Sequence, residues 1–485
     1  MIIVSITGPS MKEAFAQIAA SSRYADMFEL RLDLIQEPPM SMLMSATNKP
    51  IVATCRPMWE GGAFDGSETE RMEILEATSM LGADYVDIEW KADKTLLQEF
   101  LNRRKESKVI LSHHQFENKS INVSKLYARM RAIGADVLKA AYVANDVADI
   151  RYAFDFLNLA RRDKQRAVAI AMGESGEPSR ILYNKYGGWA TYASTEDGKN
   201  SAPGQIPASQ LKQLYRADKI SSKTKVYGVI GNPLNQSKGV YLHNPLFQRA
   251  KKDAVYCRFQ VKDIFAFMKH VAPILSGFSV TLPHKQTVMK FADRLDSTAK
   301  GIGAVNTVVR QNGKLVATNT DAPGALDAIE KVAKVRGKRM LIVGAGGAAR
   351  AIAYEAKQRG AEVLITNRNE EKAKKLAREF GLGFVRESSV QITLSDIIVN
   401  ATSVGMTPHA DESPVPKSIL KNKIVFDAVY NPPMTKLLRD AKSVGAKIVQ
   451  GTEMYLNQAA LQSELYTGVK PKSETMRRIL EQAKG

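Results

Sequence analysis

Eight short apolar segments rich in strand-forming residues recur at 2–8, 27–33, 51–57, 85–90, 109–114, 137–143, 166–173 and 189–194, and the stretches between them carry apolar residues at helical spacing. Strand and helix alternating eight times within roughly 200 residues point to one closed solution, a (β/α)8 TIM barrel. Parallel neighbours each need a crossover, and both faces of every strand must be covered. In that architecture the chemistry sits where strands end and the following loops begin. Glu29, Arg31, Arg56, Glu89, His114 and Lys139 all fall within or at the ends of strands two to six.

The chain has 485 residues, too many for a single ordinary core. After a barrel assigned to 1–215, the polar stretch 216–225 lacks an apolar face and reads as a linker. A further α/β domain is expected over 226–322, with strands at 227–231, 254–261, 278–283 and 304–310. From 339 to 344 a strand runs into GAGGAARA, then a helix through 358 and a strand at 362–366. This is one βαβ unit of a dinucleotide fold, and it places a third domain at 323–485 whose last helices return to the domain before it.

Composition excludes several classes. Hydrophobic residues at 44% and charged residues at 25% are ordinary for globular proteins, and no apolar run is long enough to span a bilayer. The segment Met1 to Gly8 reads as a strand, not a signal peptide. Cys55 and Cys257 are far apart and form no CxxC pair, so neither a disulfide framework nor a cysteine metal site is suggested, and a cytoplasmic location is expected unless an organelle-targeting segment was removed. The net charge of +19 comes from bases interleaved with acids, without a zinc-finger, RRM or P-loop pattern. Small anionic substrates are the expected partners, with no nucleic acid and no membrane; oligomeric state is not readable.

Two chemistries show in the residues. Gly344, Gly346 and Gly347 follow an apolar strand and open an Ala-rich helix, so free backbone N–H groups can receive a pyrophosphate. The next strand ends in Thr366, Asn367 and Arg368 where an acid would suit NAD; an arginine there suits a 2′-phosphate, although it also fits a solvated strand end. Hydride delivery to a ketone further needs a proton donor, and Lys285 and Asp321 are candidates. In the first half, Lys139 at a strand end can form an imine if its amine is neutral, with Arg31, Arg56 and Arg180 as neighbouring cations that also grip an anion. The plain alternative is a lysine that buries its stem and solvates its head.

Ordered motifs then narrow the choice. ELRLD at 29–33, CRPxxEGG at 55–62, DIEW at 87–90, SHHQF at 112–116, the Lys139 strand, MGxxGxxSR at 172–180 and SAPGQ at 201–205 resemble type I 3-dehydroquinate dehydratase across the first half. The resemblance implies Lys139 as the Schiff-base lysine, His114 as general acid and base with Glu60 supporting it, and Glu29, Arg31, Arg56, Arg180, Ser201 and Gln205 around the substrate. His113 is expected to point the other way. No metal is required. The second half carries GNPxxxSK with a following HN, VTLPHK, GAVNT, NTD, GAGGAARA, NR, NATSVGM and NQAALQ, and resembles shikimate dehydrogenase, a two-domain α/β enzyme with a C-terminal Rossmann-like NADP domain. That resemblance implies Lys285 and Asp321 as the catalytic pair, and Ser237, Thr281, Asn306, Tyr430, Gln458 and Gln462 as substrate contacts. It implies Gly344, Gly346, Gly347, Ala348, Asn367, Arg368, Thr402 and Gly451 around NADP(H). The two activities are consecutive: the dehydratase product, 3-dehydroshikimate, is the ketone that the dehydrogenase reduces to shikimate.

Three departures stand out. Gly239 occupies a position where the dehydrogenase family usually has serine, Ser279 replaces a common asparagine, and Ala322 to Gly324 follow the NTD motif differently. Space beside Gly239 would admit the extra hydroxyl of quinate, so quinate is an alternative substrate. A catalytically silent pathway sensor and a nucleic-acid binder are the remaining alternatives.

Overall fold

The computed structural model describes every residue except 37–39, 105, 118–120, 199–201, 235–236 and 483–485. The chain divides into two compact units, Met1–Leu275 and Ser276–Gly485.

The first unit opens with eight parallel strands: β1 (Ile2–Ile6), β2 (Met27–Arg31), β3 (Ile51–Thr54), β4 (Tyr85–Glu89), β5 (Lys108–Gln115), β6 (Val137–Val143), β7 (Arg166–Met172) and β8 (Thr191–Ala193). Neighbours in sequence are neighbours in space, and β8 returns to pair with β1. At the last seam the Trp189 N–H donates to Ala167 O over 2.8 Å. The sheet is thus a near-closed barrel.

Period-two alternation explains what its interior holds. One inward residue per segment, Ile3, Met27, Val52, Tyr85, Ile110, Val137, Val168 and Ala190, belongs to a single buried apolar cluster. Burial of each larger one contributes about 1.5–3 kcal/mol, and together they floor the barrel. Two residues further along each strand, on the same face, stand Ser5, Glu29, Thr54, Asp87, Ser112, Lys139, Ile170 and Tyr192. Two further again come Arg31, Arg56, Glu89 and His114. A hydrophobic floor therefore carries two tiers of polar chemistry toward the carboxyl ends of the strands.

The stretch expected to be a free linker is docked. Tyr215, Ala217 and Ile220 are buried; Asn184 Nδ2 donates to Ile220 O over 2.7 Å, and Lys185 Nζ donates to Ser222 O and Thr224 O over 2.8 Å each. Its apolar anchors stand singly among charges, so no periodic face marks them. The unit ends with β9 (Lys225–Gly231) and β10 (Ala254–Gln260), paired in parallel through the crossover helix Gly239–Arg249.

The second unit contains β11 (Gly277–Val280), β12 (Arg294–Leu295), β13 (Thr307–Gln311) and β14 (Lys314–Thr318). β13 and β14 form a hairpin whose Asn312-Gly313 turn has both residues at positive φ, 49° and 80°, the geometry that matches strand twist. Then come β15 (Arg339–Val343), β16 (Glu362–Thr366), β17 (Gly383–Phe384), β18 (Ile397–Asn400), β19 (Ile424–Asp427) and β20 (Lys447–Val449), parallel in the order β17-β16-β15-β18-β19-β20. The order reverses between β15 and β18, the point where such sheets open a ligand crevice. The expected strand 278–283 stops at Val280, which leaves 281–285 as a turn carrying Lys285. The long helix Gly451–Thr467, which precedes the final helix Ser473–Gln482, lies against the helix Asp321–Glu330: a Cβ on Gly324 would meet Gln458 N at 2.9 Å, and Asn457 Nδ2 donates to Gly324 O over 3.0 Å. No described helix is long and apolar enough to cross a membrane.

Candidate active sites

The barrel mouth encloses a cavity of about 170 Å³ lined by Glu29, Arg31, Arg56, Glu60, His114, Lys139, Arg180 and Gln205, among others. Lys139 is buried in the middle tier. Its Nζ donates to Asp87 Oδ2 over 2.9 Å, lies 3.5 Å from Glu29 Oε1, and sits 4.0 Å from the centre of the Tyr192 ring. Glu29 accepts from Ser5 Oγ (2.6 Å) and Thr54 Oγ1 (3.1 Å) in the same tier. Burial opposes the Glu29 charge, but Lys139 and Arg31 outweigh it and hold the carboxyl below its ordinary value. Burial likewise opposes the charge on Asp87, and Arg56 and Lys139 outweigh it.

His114 reaches Glu60 Oε2 through Nδ1 at 2.9 Å. A carboxylate only accepts, so Nδ1 carries the hydrogen and Nε2 keeps its lone pair. Burial, helped by Arg56, pulls the imidazole down to about 4, against the opposing pull of Glu60. At neutral pH it is an uncharged base. Burial works against the charge of Glu60 as well, yet the two adjacent imidazoles and Arg56 hold it at about 2. His113 points to the opposite face of β5, edge-on to Trp90 at 5.5 Å between ring centres, although its Nδ1 comes within 3.6 Å of Glu60 Oε1.

The three arginines differ. Arg31 is bidentate to Asp33, at 2.9 and 2.7 Å. Arg56 pairs with Glu89 and, at 3.0 Å, with Asp87, and donates to Ser112 Oγ over 2.8 Å. Arg180, 1% exposed, has no carboxylate partner among the described residues: its Nη atoms donate to Tyr192 O and Pro203 O at 3.3 Å, and its Nε has no partner. Burial alone lowers it to about 10. A cation so placed against a cavity is an open receptor for an anion. Gln205 lines the cavity, while Ser201 lies outside the described residues.

The site also contains Asp87 and Arg71, neither of which was singled out from sequence. Arg71, fully buried on the helix Glu68–Met80, pairs with Glu89 and Glu68 and donates to Cys55 O over 3.3 Å. Counting by twos from the apolar floor finds Asp87; nothing in the sequence marks Arg71.

In the second unit, Lys285 Nζ donates to Asp321 Oδ2 over 2.5 Å. Asn306 is buried beside them and ties two segments together, donating through Nδ2 to Thr320 Oγ1 (2.9 Å) while its Oδ1 accepts from Thr320 N (2.8 Å). Thr281 is half-buried on the turn that leads to Lys285, and Gln458 Oε1 accepts from Thr320 Oγ1 at 3.5 Å. Gln462 is committed internally: its Oε1 accepts from Ser279 Oγ and its Nε2 donates to Thr307 Oγ1, both at 3.0 Å. Tyr430 stacks on Tyr455 at 5.1 Å.

The glycine loop meets this pair, because a Cβ on Gly347 would lie 3.7 Å from Lys285 Cδ. Gly344 has φ +124°, and a Cβ there would meet Ala401 O at 2.8 Å; only glycine fits. Gly346 caps the helix Gly347–Gln358 without a side-chain hydrogen bond, no acid stands in its first turn, and no atom lies within 4 Å of its missing Cβ. Those N–H groups are open to an anion. Ala348 lies half-buried in the same turn. Arg368 is exposed, and Asn367 Nδ2 donates to Asn369 O over 3.0 Å. Thr402 Oγ1 donates to Asn400 Oδ1 over 2.7 Å at the end of β18, and Gly451 lets the last long helix start 2.5 Å from Val429 O, measured from a missing Cβ. An open helix terminus beside an exposed arginine suits a phosphorylated dinucleotide.

Ser237 and Gly239 belong to the first unit, where Ser237 N donates to Leu234 O over 2.9 Å. The space expected beside Gly239 is occupied: its missing Cβ would lie 3.0 Å from Tyr256 Cε1 and 3.4 Å from Tyr256 Oη. Sequence patterning could not show this, because Tyr256 comes from the next strand. Among the described residues no group of three or more His, Cys, Asp or Glu is placed to hold a metal ion.

Residues 2–222 match the type I 3-dehydroquinase family, 229–308 the shikimate dehydrogenase substrate binding domain, and 327–427 the shikimate / quinate 5-dehydrogenase family. The chain is similar to a chloroplastic bifunctional 3-dehydroquinate dehydratase/shikimate dehydrogenase of Arabidopsis thaliana, 36% identical over 94% of this chain and 80% of the relative. It is also similar to the shikimate biosynthesis protein AroDE of Chlamydia pneumoniae, 31% identical over 96% of this chain and 95% of the relative. A solved shikimate 5-dehydrogenase from Thermus thermophilus, in complex with NADP(H) and shikimate, is 33% identical with a TM-score of 0.50, covering 53% of this chain and 99% of that one.

Proposed function

The chain belongs to the bifunctional 3-dehydroquinate dehydratase/shikimate dehydrogenase family, and on that premise we propose how its own side chains divide the two reactions. The barrel removes water from 3-dehydroquinate; the second half reduces the product to shikimate.

Lys139 adds to the substrate's C3 ketone and, with loss of water, forms an iminium. Asp87 and Glu29 stand within proton-transfer reach of its Nζ, at 2.9 and 3.5 Å. The iminium withdraws electrons and acidifies the C2 hydrogen, which the free Nε2 of His114 removes. Glu60 holds that imidazole in the required tautomer. The resulting enamine expels the β-hydroxyl, which takes the proton now held by His114 and leaves as water, and hydrolysis of the imine frees Lys139. Arg180 receives the substrate carboxylate, while Arg31 and Arg56, already paired, orient the acids around it. Gln205 and Ser201 complete the substrate shell.

In the second half Lys285, held by Asp321, delivers a proton to the nascent alkoxide. Thr281, Gln458 and Tyr430 contact the substrate, with Asn306 and Gln462 fixing the segments that carry them. Gly344, Gly346, Gly347 and Ala348 at the helix terminus, with Asn367, Arg368, Thr402 and Gly451, would hold NADPH, whose nicotinamide would supply the hydride. Cys55 and Cys257 are buried free thiols, which favours a reducing compartment.

The observation that carries this reading is that Lys139, the His114–Glu60 pair and the unpaired Arg180 open onto one cavity. Borohydride added with 3-dehydroquinate should fix an adduct on Lys139, located by peptide mass mapping. An adduct on any other residue rejects the assignment. Lys139→Ala should abolish dehydration and leave reduction of 3-dehydroshikimate near normal.

A further inference from the structure

The first unit has a second cavity, of about 360 Å³, that neither reaction uses. It lies between the docked segment 214–224 and the carboxyl end of the helix Gly239–Arg249. Its volume falls within the usual range of small-molecule sites. Arg216, Lys219, Lys251 and Lys252 line it, against one acid, Asp253, whose Oδ1 accepts from Thr224 Oγ1 over 2.7 Å. None of the four cations has a carboxylate partner among the described residues.

Ordinary surface chemistry accounts for only part of this. Lys251 and Lys252 follow a helix terminus, where cations complement the helix dipole, but Arg216 and Lys219 come from a separate segment and gain nothing from it. Arg216 and Lys251 both hold left-handed backbone, φ 50° each; at Lys251 this is how the helix Gly239–Arg249 ends, one residue past its cap Ala250. Like charges from two separate segments are thus gathered on one concave surface. The walls are fixed across both segments: Gln248 Nε2 donates to Gln213 O (3.2 Å) and Leu214 O (3.3 Å), and Lys252 N to Phe247 O (2.9 Å). A concave surface with three net positive charges, from exposed Lys219, Lys251 and Lys252 and half-buried Arg216 against exposed Asp253, offers an anion several donors at once and has room for a metabolite.

We propose that this cavity binds a small oligoanion, a metabolite bearing two or more phosphate or carboxylate groups. Bound there, it bridges the segment after the barrel to the end of the helix Gly239–Arg249. The test is calorimetric titration of the full chain with pyrophosphate and, separately, citrate, at constant ionic strength and with NADP+ saturating so that the helix-terminus site is filled. Three proteins are compared: native, Lys219→Gln/Lys252→Gln, and Lys421→Gln/Lys470→Gln, which removes the same charge from exposed positions elsewhere. A saturable one-to-one isotherm is expected in the native and control proteins, weakened at least tenfold in the cavity variant. The probe that binds tells phosphate from carboxylate recognition. No saturable isotherm with either probe, or equal affinity in all three proteins, overturns the proposal. Both enzyme activities should be retained in the cavity variant, which certifies its fold.

Discussion

Replacing Arg180 by methionine should make the protein more stable and its dehydratase worse. The guanidinium is fully buried with no carboxylate partner among the described residues, and burial lowers its pKa from 12.5 to about 10. That difference corresponds to about 3 kcal/mol by which the folded state disfavours the charged form. The sign follows from linkage: with the folded pKa depressed, the penalty is fully present below pH about 10 and fades as pH rises toward the unfolded value. It therefore acts in full at neutral pH. Methionine retains comparable bulk but forfeits the donations to Tyr192 O and Pro203 O, each 3.3 Å long and worth about 0.5–1.5 kcal/mol at most. Pro203 O keeps the N–H of Gly173 at 3.1 Å. The balance is a gain of about 1 kcal/mol, seen as a rise of a few degrees in the barrel's thermal transition. The same change removes a charge-assisted contact to the substrate carboxylate, about 1.5–3 kcal/mol, so dehydratase kcat/KM should fall about 10- to 150-fold. Scanning calorimetry and steady-state dehydration measure the two arms, with the dehydrogenase activity as an internal reference. A lower transition temperature with unchanged kcat/KM would refute the reasoning, because Arg180 would then be a structural brace.

The acid limb of dehydratase kcat/KM should fall as pH drops through about 4, since His114 acts as a base only when neutral; a limb near pH 6.5, the ordinary imidazole value, would deny it this environment. Arg368→Ala should weaken NADPH use by about 1.5–3 kcal/mol and NADH use far less, and equal losses would show that the residue does not read a 2′-phosphate. Gly239→Ser should lower kcat/KM for shikimate and quinate alike, because the new Cβ meets Tyr256 at 3.0 Å instead of open space; a changed ratio would restore the idea of room for an extra hydroxyl. Expressing the chain as two pieces cut between 216 and 217 should destabilise the barrel piece, because it then loses the buried Ala217 and Ile220; two fully stable pieces would show that the docking contributes nothing.

The barrel was legible because period-two patterning is written into every strand: an apolar floor residue, then polar residues two and four further on. Lys139, Glu29, Arg31, Arg56 and His114 follow that rule. Asp87 follows it too, and was missed only because a buried acid inside DIEW reads equally well as a strand-end polar residue. Arg71 was not legible, since a helix shows which face is apolar but not that one arginine on it crosses to Glu89. The docked segment 216–225 and the Tyr256 ring beside Gly239 share a cause. Both depend on contacts made by residues distant in the chain or in a neighbouring strand, and local pattern carries no trace of them. The glycine loop was legible for the opposite reason, because φ +124° at Gly344 and the close approach of Ala401 O restrict that position to one residue type.

On the proposed reading the two halves handle anions by different physics, and the difference follows from how deeply each buries its charges. Imine formation needs a lysine free of bulk water, so the barrel buries its charges and must neutralise them locally: Arg31 by Asp33, Arg56 by Asp87 and Glu89, Lys139 by Asp87 and Glu29. Burial penalties of several kcal/mol per ion leave little tolerance for an unpaired charge. The exception, Arg180, stands where a substrate carboxylate would complete the balance, so the site is most stable when occupied. In the second half Gly346 and Arg368, among the groups proposed to hold the cofactor, face solvent. Backbone N–H groups at a helix terminus and an exposed Arg368 remain hydrated when empty, so release carries no comparable desolvation penalty. A buried arginine in the first half and an exposed one in the second therefore differ in what an anion brings to each: charge balance for Arg180, and direct hydrogen bonds in place of water for Arg368.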